Sequence, residues 1–262
     1  MTQFAILLVA ASLAWPDPAE HAEQREFTKL ATEIAASYDL RRTEELGKRL
    51  ALRTEPVLKW SNPERGRVYG SVFIWTYEGR PEVIASIYKW YHPLTHSSLE
   101  FQSLSLGGVT GAREGAAAWA AAEPGVEPRP LPDAAPPAAN APERLRQMRA
   151  LARQFRAEAT SREGDQSQLR LLTQPIYRYE GSGGEWIDGA LFAFVQATDP
   201  DVLLLVEALR DDGGATWQFA LARLNSITLR AFHHDRQVWT AAELPWSEVQ
   251  DRSRTYFSLR FQ

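Results

Sequence analysis

The sequence predicts an α+β protein built from two tandem repeats, each one helix packed on an antiparallel β-meander of about four strands. Three observations carry this. First, Leu52, Thr54, Pro56, Gly70, Phe73, Pro81 and Val83 recur in order, 119 positions on, as Leu171, Thr173, Pro175, Gly189, Phe192, Pro200 and Val202. An ordered recurrence of prolines and glycines reads as an internal duplication. Second, each copy opens on a helical apolar period and continues in period-two runs. Third, 262 residues with 44% hydrophobic and 24% charged side chains give a globular chain long enough for two small domains.

Taken in order, residues 4–14 are an uninterrupted apolar run, right for a signal-peptide core and too short to span a bilayer. Ser12 and Ala14 supply the small residues of a cleavage site before Trp15, although residues 2 and 3 add no positive charge. The expected divisions are a signal peptide or N-terminal apolar segment (1–21, with the signal peptide over 1–14), a first repeat (22–115), a linker (116–141) and a second repeat (142–262). The expected address is exported, periplasmic or extracytoplasmic. No transmembrane helix is expected beyond the N-terminal segment.

Residues 22–38 predict an amphipathic helix through Phe27, Leu30, Ile34 and Tyr38. Its counterpart, 142–159, carries Leu145, Met148, Ala152, Phe155 and Ala159, with Asn140 placed to cap and Pro142 in the first turn. Its arginines, Arg144 among them, read as a solvated basic face. Each helix leads to a strand holding Pro56 or Pro175, which marks an edge or a bulge, since proline cannot donate to a ladder. Strands follow at 69–77, 83–91 and 99–106, and at 188–197, 202–210 and 217–229. Residues 116–141, rich in Ala and Pro, predict an extended linker. Residues 255–261 alternate as one extra strand.

The formal charge of −4 supplies no basic field for nucleic acid, and the absence of cysteine excludes disulfides and thiolate metal sites. His92 and His96 flank Pro93, His233 and His234 are adjacent, and neither pair has an identifiable third ligand, so no metal or cofactor is expected. There is no Gly-x-Ser-x-Gly elbow, and the Gly-rich stretch 181–184 lacks the Lys-Ser/Thr of a phosphate loop. No catalytic residue is assigned.

Two candidate sites remain. Phe73, Trp75 and Tyr77 share one face of a strand, and Tyr88 and Trp90 share one face of the next. If the faces coincide, Trp75, Tyr77, Tyr88 and Trp90 form an aromatic ligand-binding platform; otherwise they are core beneath the helix. Glu207 interrupts the most apolar strand, and Arg223 in the following strand is its expected partner. That pair is either an ion pair fixing strand register or a pocket carboxylate with its counter-charge.

The segments Trp60-Ser-Asn-Pro63, Phe73-Ile-Trp75, Ile87-Tyr-Lys-Trp-Tyr91 and Gln174-Pro-Ile-Tyr-Arg-Tyr179 resemble a family of exported bacterial proteins of planctomycete type with the same two-part layout. The resemblance implies export and the duplicated plan, and no activity. The functional expectation is an exported, non-enzymatic binding or interaction protein whose partner is a small molecule, a glycan or a protein. A hydrolase using Glu207 and Arg223, or a histidine of the His233–His234 pair, is the second reading. An assembly protein pairing through sheet edges is the third.

Overall fold

The computed structural model describes residues 18–44, 47–181, 185–211 and 214–261. The apolar run read as a signal peptide lies outside the described residues. The first half holds α1 (Pro18–Ala36), β1 (Tyr38–Arg42), β2 (Ala51–Leu52), β3 (Leu58–Ser61), β4 (Arg67–Tyr77), β5 (Arg80–His92), β6 (Ser97–Ser103), β7 (Val109–Arg113) and β8 (Ala116–Ala121). After β9 (Arg129–Pro130) come α2 (Ala141–Ala152), β10 (Phe155–Thr160), β11 (Gln166–Leu171), β12 (Tyr177–Glu180), β13 (Trp186–Gln196) and β14 (Asp199–Asp211). The chain ends in β15 (Gly214–Arg223), β16 (Thr228–His233), β17 (Arg236–Ala241), α3 (Trp246–Val249) and β18 (Tyr256–Phe261).

Among the described residues strands hold 53% and helices 14%, so the described structure is mostly β. This corrects the expectation of two helix-on-meander repeats. The strands form antiparallel sheets of three, six and nine, and pairing crosses the boundaries drawn from the sequence. The C-terminal β18 adds to β6 in the six-stranded sheet. Strand β9, from the expected linker, adds to β15 in the nine-stranded sheet. That linker also carries β8 and buries Trp119, Val126 and Leu131, apolar side chains that its Ala/Pro-rich composition obscures.

Several strand bounds follow the 119-residue spacing: β3, β4 and β5 cover 58–61, 67–77 and 80–92, and β12, β13 and β14 cover 177–180, 186–196 and 199–211. The β4–β5 turn has Glu78 at φ 49° and Gly79 at φ 88°, the paired positive φ that matches the twist of a two-residue hairpin. Pro56 and Pro175 fall in the breaks between β2 and β3 and between β11 and β12, where a missing N–H costs no ladder bond.

Three cores explain the layering. Phe27, Ala31 and Ile34 of α1 pack on Phe73, Trp75, Val83 and Ala85, the outer face of the six-stranded sheet. Met148, Leu151 and Ala152 of α2 pack on Phe192, Phe194, Val202 and Leu204, the outer face of the nine-stranded sheet. Between the sheets, Val72, Ile74 and Ile84 meet Leu191, Ala193, Leu203 and Leu205 in one shared core. The central strands are thus covered on both faces, and they read as continuous apolar runs for that reason. Helix α2 is capped by Asn140, whose side chain accepts from Glu143 N at 2.9 Å. It stops at Ala152, and Phe155, Ala157 and Ala159 enter the core as strand β10. Arg144 is buried against Asp188 (Nε–Oδ2 2.8 Å), tying α2 to β13, so it is not part of a solvated face.

Candidate functional site

The β4–β5 and β13–β14 turns each reach the opposite half. Tyr177 Oη donates to Gly79 O at 3.0 Å, and Ser61 N donates to Thr198 Oγ1 at 2.8 Å. Arg80 and Glu82 follow the first turn; Asp199 and Asp201, 119 positions on, follow the second. Arg80 lies against β14 at Glu207, whereas Asp199 lies near Tyr88, eight residues or about 26 Å farther along β5. These two corners of the interface are chemically unlike.

The first corner is closed. Arg80 Nε donates to Glu207 Oε1 at 2.9 Å, and Nη1 donates to Glu82 Oε1 (3.1 Å) and Leu104 O (3.0 Å). The Tyr179 hydroxyl also donates to Glu207 Oε1, and Gln218 Nε2 to Oε2 at 3.0 Å. The Trp186 ring covers the Arg80 guanidinium, 5.0 Å from its centroid. Burial works against the charge on Arg80, but Glu207, Tyr179 and Glu82 together outweigh it and raise its pKa. Glu207 is 0% exposed. A cavity of about 230 Å³ lies beside this network.

This geometry corrects the Glu207–Arg223 pairing. The β14–β15 register sets Glu207 opposite Gln218 and Arg223 opposite Val202. Arg223 donates instead to the carbonyl oxygens of Asn225 (2.7 Å), Ala242 (2.9 Å) and Ile227 (2.8 Å). The true partner, Arg80, was missed. Its sequence signal was a charged residue at the start of a long strand, together with a carboxylate flanked in sequence by the apolar Val206 and Ala208.

The second corner is open. A cleft of about 620 Å³ is lined by Trp60, Tyr88 and Trp90 of the first half, Glu100 of β6, Asp199 of β14 and Trp246 of α3. Trp60 is held by its Nε1, which donates to Ser86 Oγ at 3.0 Å, and its ring lies 5.5 Å from that of Tyr88. Trp90 stacks on His96 at 6.3 Å. Trp246, 57% exposed, stands at the rim with the Arg162 guanidinium 4.3 Å from its ring centroid.

The floor of the cleft is acidic, and burial favours the protonated forms of its carboxyls. Glu100 accepts from the Tyr88 hydroxyl at 3.3 Å, and burial pushes its carboxyl up to about 7 against the opposing pull of Tyr256 and Tyr88. Burial, with Asp201 alongside, raises Asp199 well above the usual carboxylate range; burial also pushes Asp201 up to about 6. Asn62 Nδ2 donates to Asp199 at 3.5 Å, and Asn225 Nδ2 donates to Asp201 Oδ1 at 2.6 Å. Glu100 and Asp199 stay partly open to the cleft while sitting deep in the protein.

The four residues of the expected aromatic platform divide between faces. Trp75, 1% exposed, and half-buried Tyr77 point into the core under α1. Tyr88 and Trp90 pack against the core between the sheets, because the β4–β5 register sets them opposite Gly70 and Val68, whereas Trp75 pairs with Val83. So the platform does not form, and Tyr88 and Trp90 join a cleft whose other wall comes from the second half. The signal missed in the sequence was Asp199 and Asp201 standing where the first half has Arg80 and Glu82. Among the described residues no group of three or more His, Cys, Asp or Glu side chains is placed to hold a metal, and no helix is long and apolar enough to cross a membrane. His233 Nε2 lies 3.1 Å from Gln154 Oε1 and its ring packs on Phe155, away from both corners. No family profile, curated protein or solved structure matches the chain.

Proposed function

We propose that this is an exported binding protein that holds a small ligand in the cleft between its two halves. The observation that supports the reading is the cleft itself, in which Trp60, Tyr88, Trp90 and Trp246 surround a polar floor. Ligand sites pair such apolar walls with a few convergent polar groups, and their volumes of about 300–1,000 Å³ include this one. The contrast between corners adds to it: Arg80 fills one, while the residues 119 positions on leave the other open. The apolar run at 4–14 and the family resemblance support export, and the recurrent strand bounds support an origin by duplication. A hydrolase built on Glu207 and Arg223 loses its basis, since the two do not meet.

A ligand-observed NMR screen of polar fragments tests the reading. Fragments are expected to bind the native protein and to be lost in Ser258→Trp, which fills the cleft from β18 without touching the core. Fragment binding that survives Ser258→Trp and Trp246→Ala unchanged places the site elsewhere.

A further inference from the structure

The cleft also points to the class of its occupant, an inference that rests on the binding reading. We propose that it takes an uncharged saccharide, its ring set against Trp90 and Trp246 and its hydroxyls on Glu100, Asp199 and Asn225.

Charge is the first argument. With burial holding Glu100 and Asp199 towards their protonated forms, Glu163 is the carboxylate left among the groups lining the cleft, so a polycation finds no field to hold it, and of the lining arginines Arg162 is already paired with Glu243. Hydrogen bonding is the second. A carboxyl that keeps its proton offers both an O–H donor and a carbonyl acceptor, and the amide of Asn225 offers both as well. A sugar hydroxyl donates and accepts in the same way. Behind these groups, Asn62 Oδ1 and Asp201 Oδ2 are buried without a partner. Buried polar groups are ordinarily satisfied, so this corner has hydrogen-bonding capacity that the protein alone does not use.

The rings are the third argument. A sugar's C–H faces carry small positive charge, and they complement the negative faces of aromatic rings. Trp90 is half-buried and stacked on His96, whose charge is disfavoured by burial and by Arg260. Trp246 is fixed between Arg162 and Arg260. These rings are in place before any ligand arrives, so little ordering entropy is lost on binding.

The test is a glycan array of neutral oligosaccharides, with calorimetry on the strongest binder. Oligogalacturonate and spermidine serve as the charged probes, alongside the fragment screen above. A neutral saccharide is expected to bind, and Trp90→Ala to weaken it about tenfold, the loss of one aromatic anchor. Trp246→Ala, at an exposed position where folding is not at risk, is expected to weaken it in the same direction. If oligogalacturonate or spermidine binds and no neutral saccharide does, the proposed class is wrong. Fragments held in the cleft with no saccharide bound overturn the class while leaving the binding reading intact. No binding of any probe, fragments included, overturns both.

Discussion

Arg80 and Glu207, 127 residues apart in the chain, form a buried ion pair that joins the two halves at one corner of their interface. Removing one member of such a pair strands the other in a medium that solvates it poorly. Arg80→Ala leaves both Glu207 and Glu82 without their guanidinium and is expected to cost about 3–5 kcal/mol in urea unfolding. Arg80→Met with Glu207→Leu is expected to recover part of that loss, because two apolar side chains replace two charges that needed each other, while Glu82 still lacks its guanidinium and Tyr179 and Gln218 lose their acceptor. If the double variant is no more stable than Arg80→Ala, the pair acts through something other than charge compensation.

Gly70 and Gly189 perform the same task in the two halves. A Cβ on Gly70 would stand 2.1 Å from the Trp60 ring, and one on Gly189 would stand 2.3 Å from the Tyr179 ring. Both rings are packed bodies, not flexible chain ends, so neither can move aside cheaply. Gly70→Ala and Gly189→Ala are each expected to cost about 1–3 kcal/mol by overpacking. Their functional effects should differ. Gly70→Ala displaces a wall of the cleft and should weaken ligand binding, while Gly189→Ala disturbs the Tyr179–Glu207 contact and should leave binding nearly unchanged in the folded fraction.

Strand β18 is the last piece of the first half's sheet. Phe257 is fully buried there, with its ring 5.3 Å from Phe101 and 5.5 Å from Trp119. Phe257→Ala is expected to cost about 3–5 kcal/mol, the usual range for deleting a buried phenyl ring. Ending the chain before residue 254 should do more, because it also uncovers the β6 edge. Size-exclusion chromatography is expected to show self-association of that truncated chain, as open edges recruit other strands.

The parts of the fold legible in the sequence were those carried by local chemistry. The strands around Phe73, Ile84, Phe192 and Leu204 stand out as apolar runs, and Pro56 and Pro175 mark interrupted edges. Ambiguity began where two periods coincide. Phe155 and Ala159 satisfy a helical spacing of four as well as a strand spacing of two, and Ala157 between them, buried in the core, settles it as strand. Register was harder still. Which side Tyr88 and Trp90 face follows from the bulge between Trp75 and Thr76, and without that one-residue shift the two-residue turn at Glu78 and Gly79 would have brought them onto the face of Trp75. The cleft itself combines β5, β6, β14, α3 and β18, and no local pattern reports such an assembly.

The acidic floor of the cleft sets the sign of the pH dependence. Unfolded Asp and Glu release their protons at about 3.9 and 4.3. In the folded protein burial holds Asp201 up to about 6 and Glu100 up to about 7, with Asp199 also well raised. The folded state therefore binds more protons than the unfolded one between about pH 4 and pH 7. The contribution of these groups to stability is complete below the unfolded values and is lost as pH rises through the folded ones. Around them, Arg65 favours the charged forms, while the hydroxyls of Tyr88 and Tyr256 are themselves pushed up by burial and stay neutral. Urea midpoints are expected to fall between about pH 4 and pH 7, and Glu100→Gln, which cannot ionise, is expected to flatten the upper part of that fall. A midpoint that rises across this range, or a Glu100→Gln profile parallel to the native one, means that the floor is ionised and solvated in the folded protein. In that case the cleft also lacks the carboxyl hydrogen-bond donors that a neutral saccharide would use.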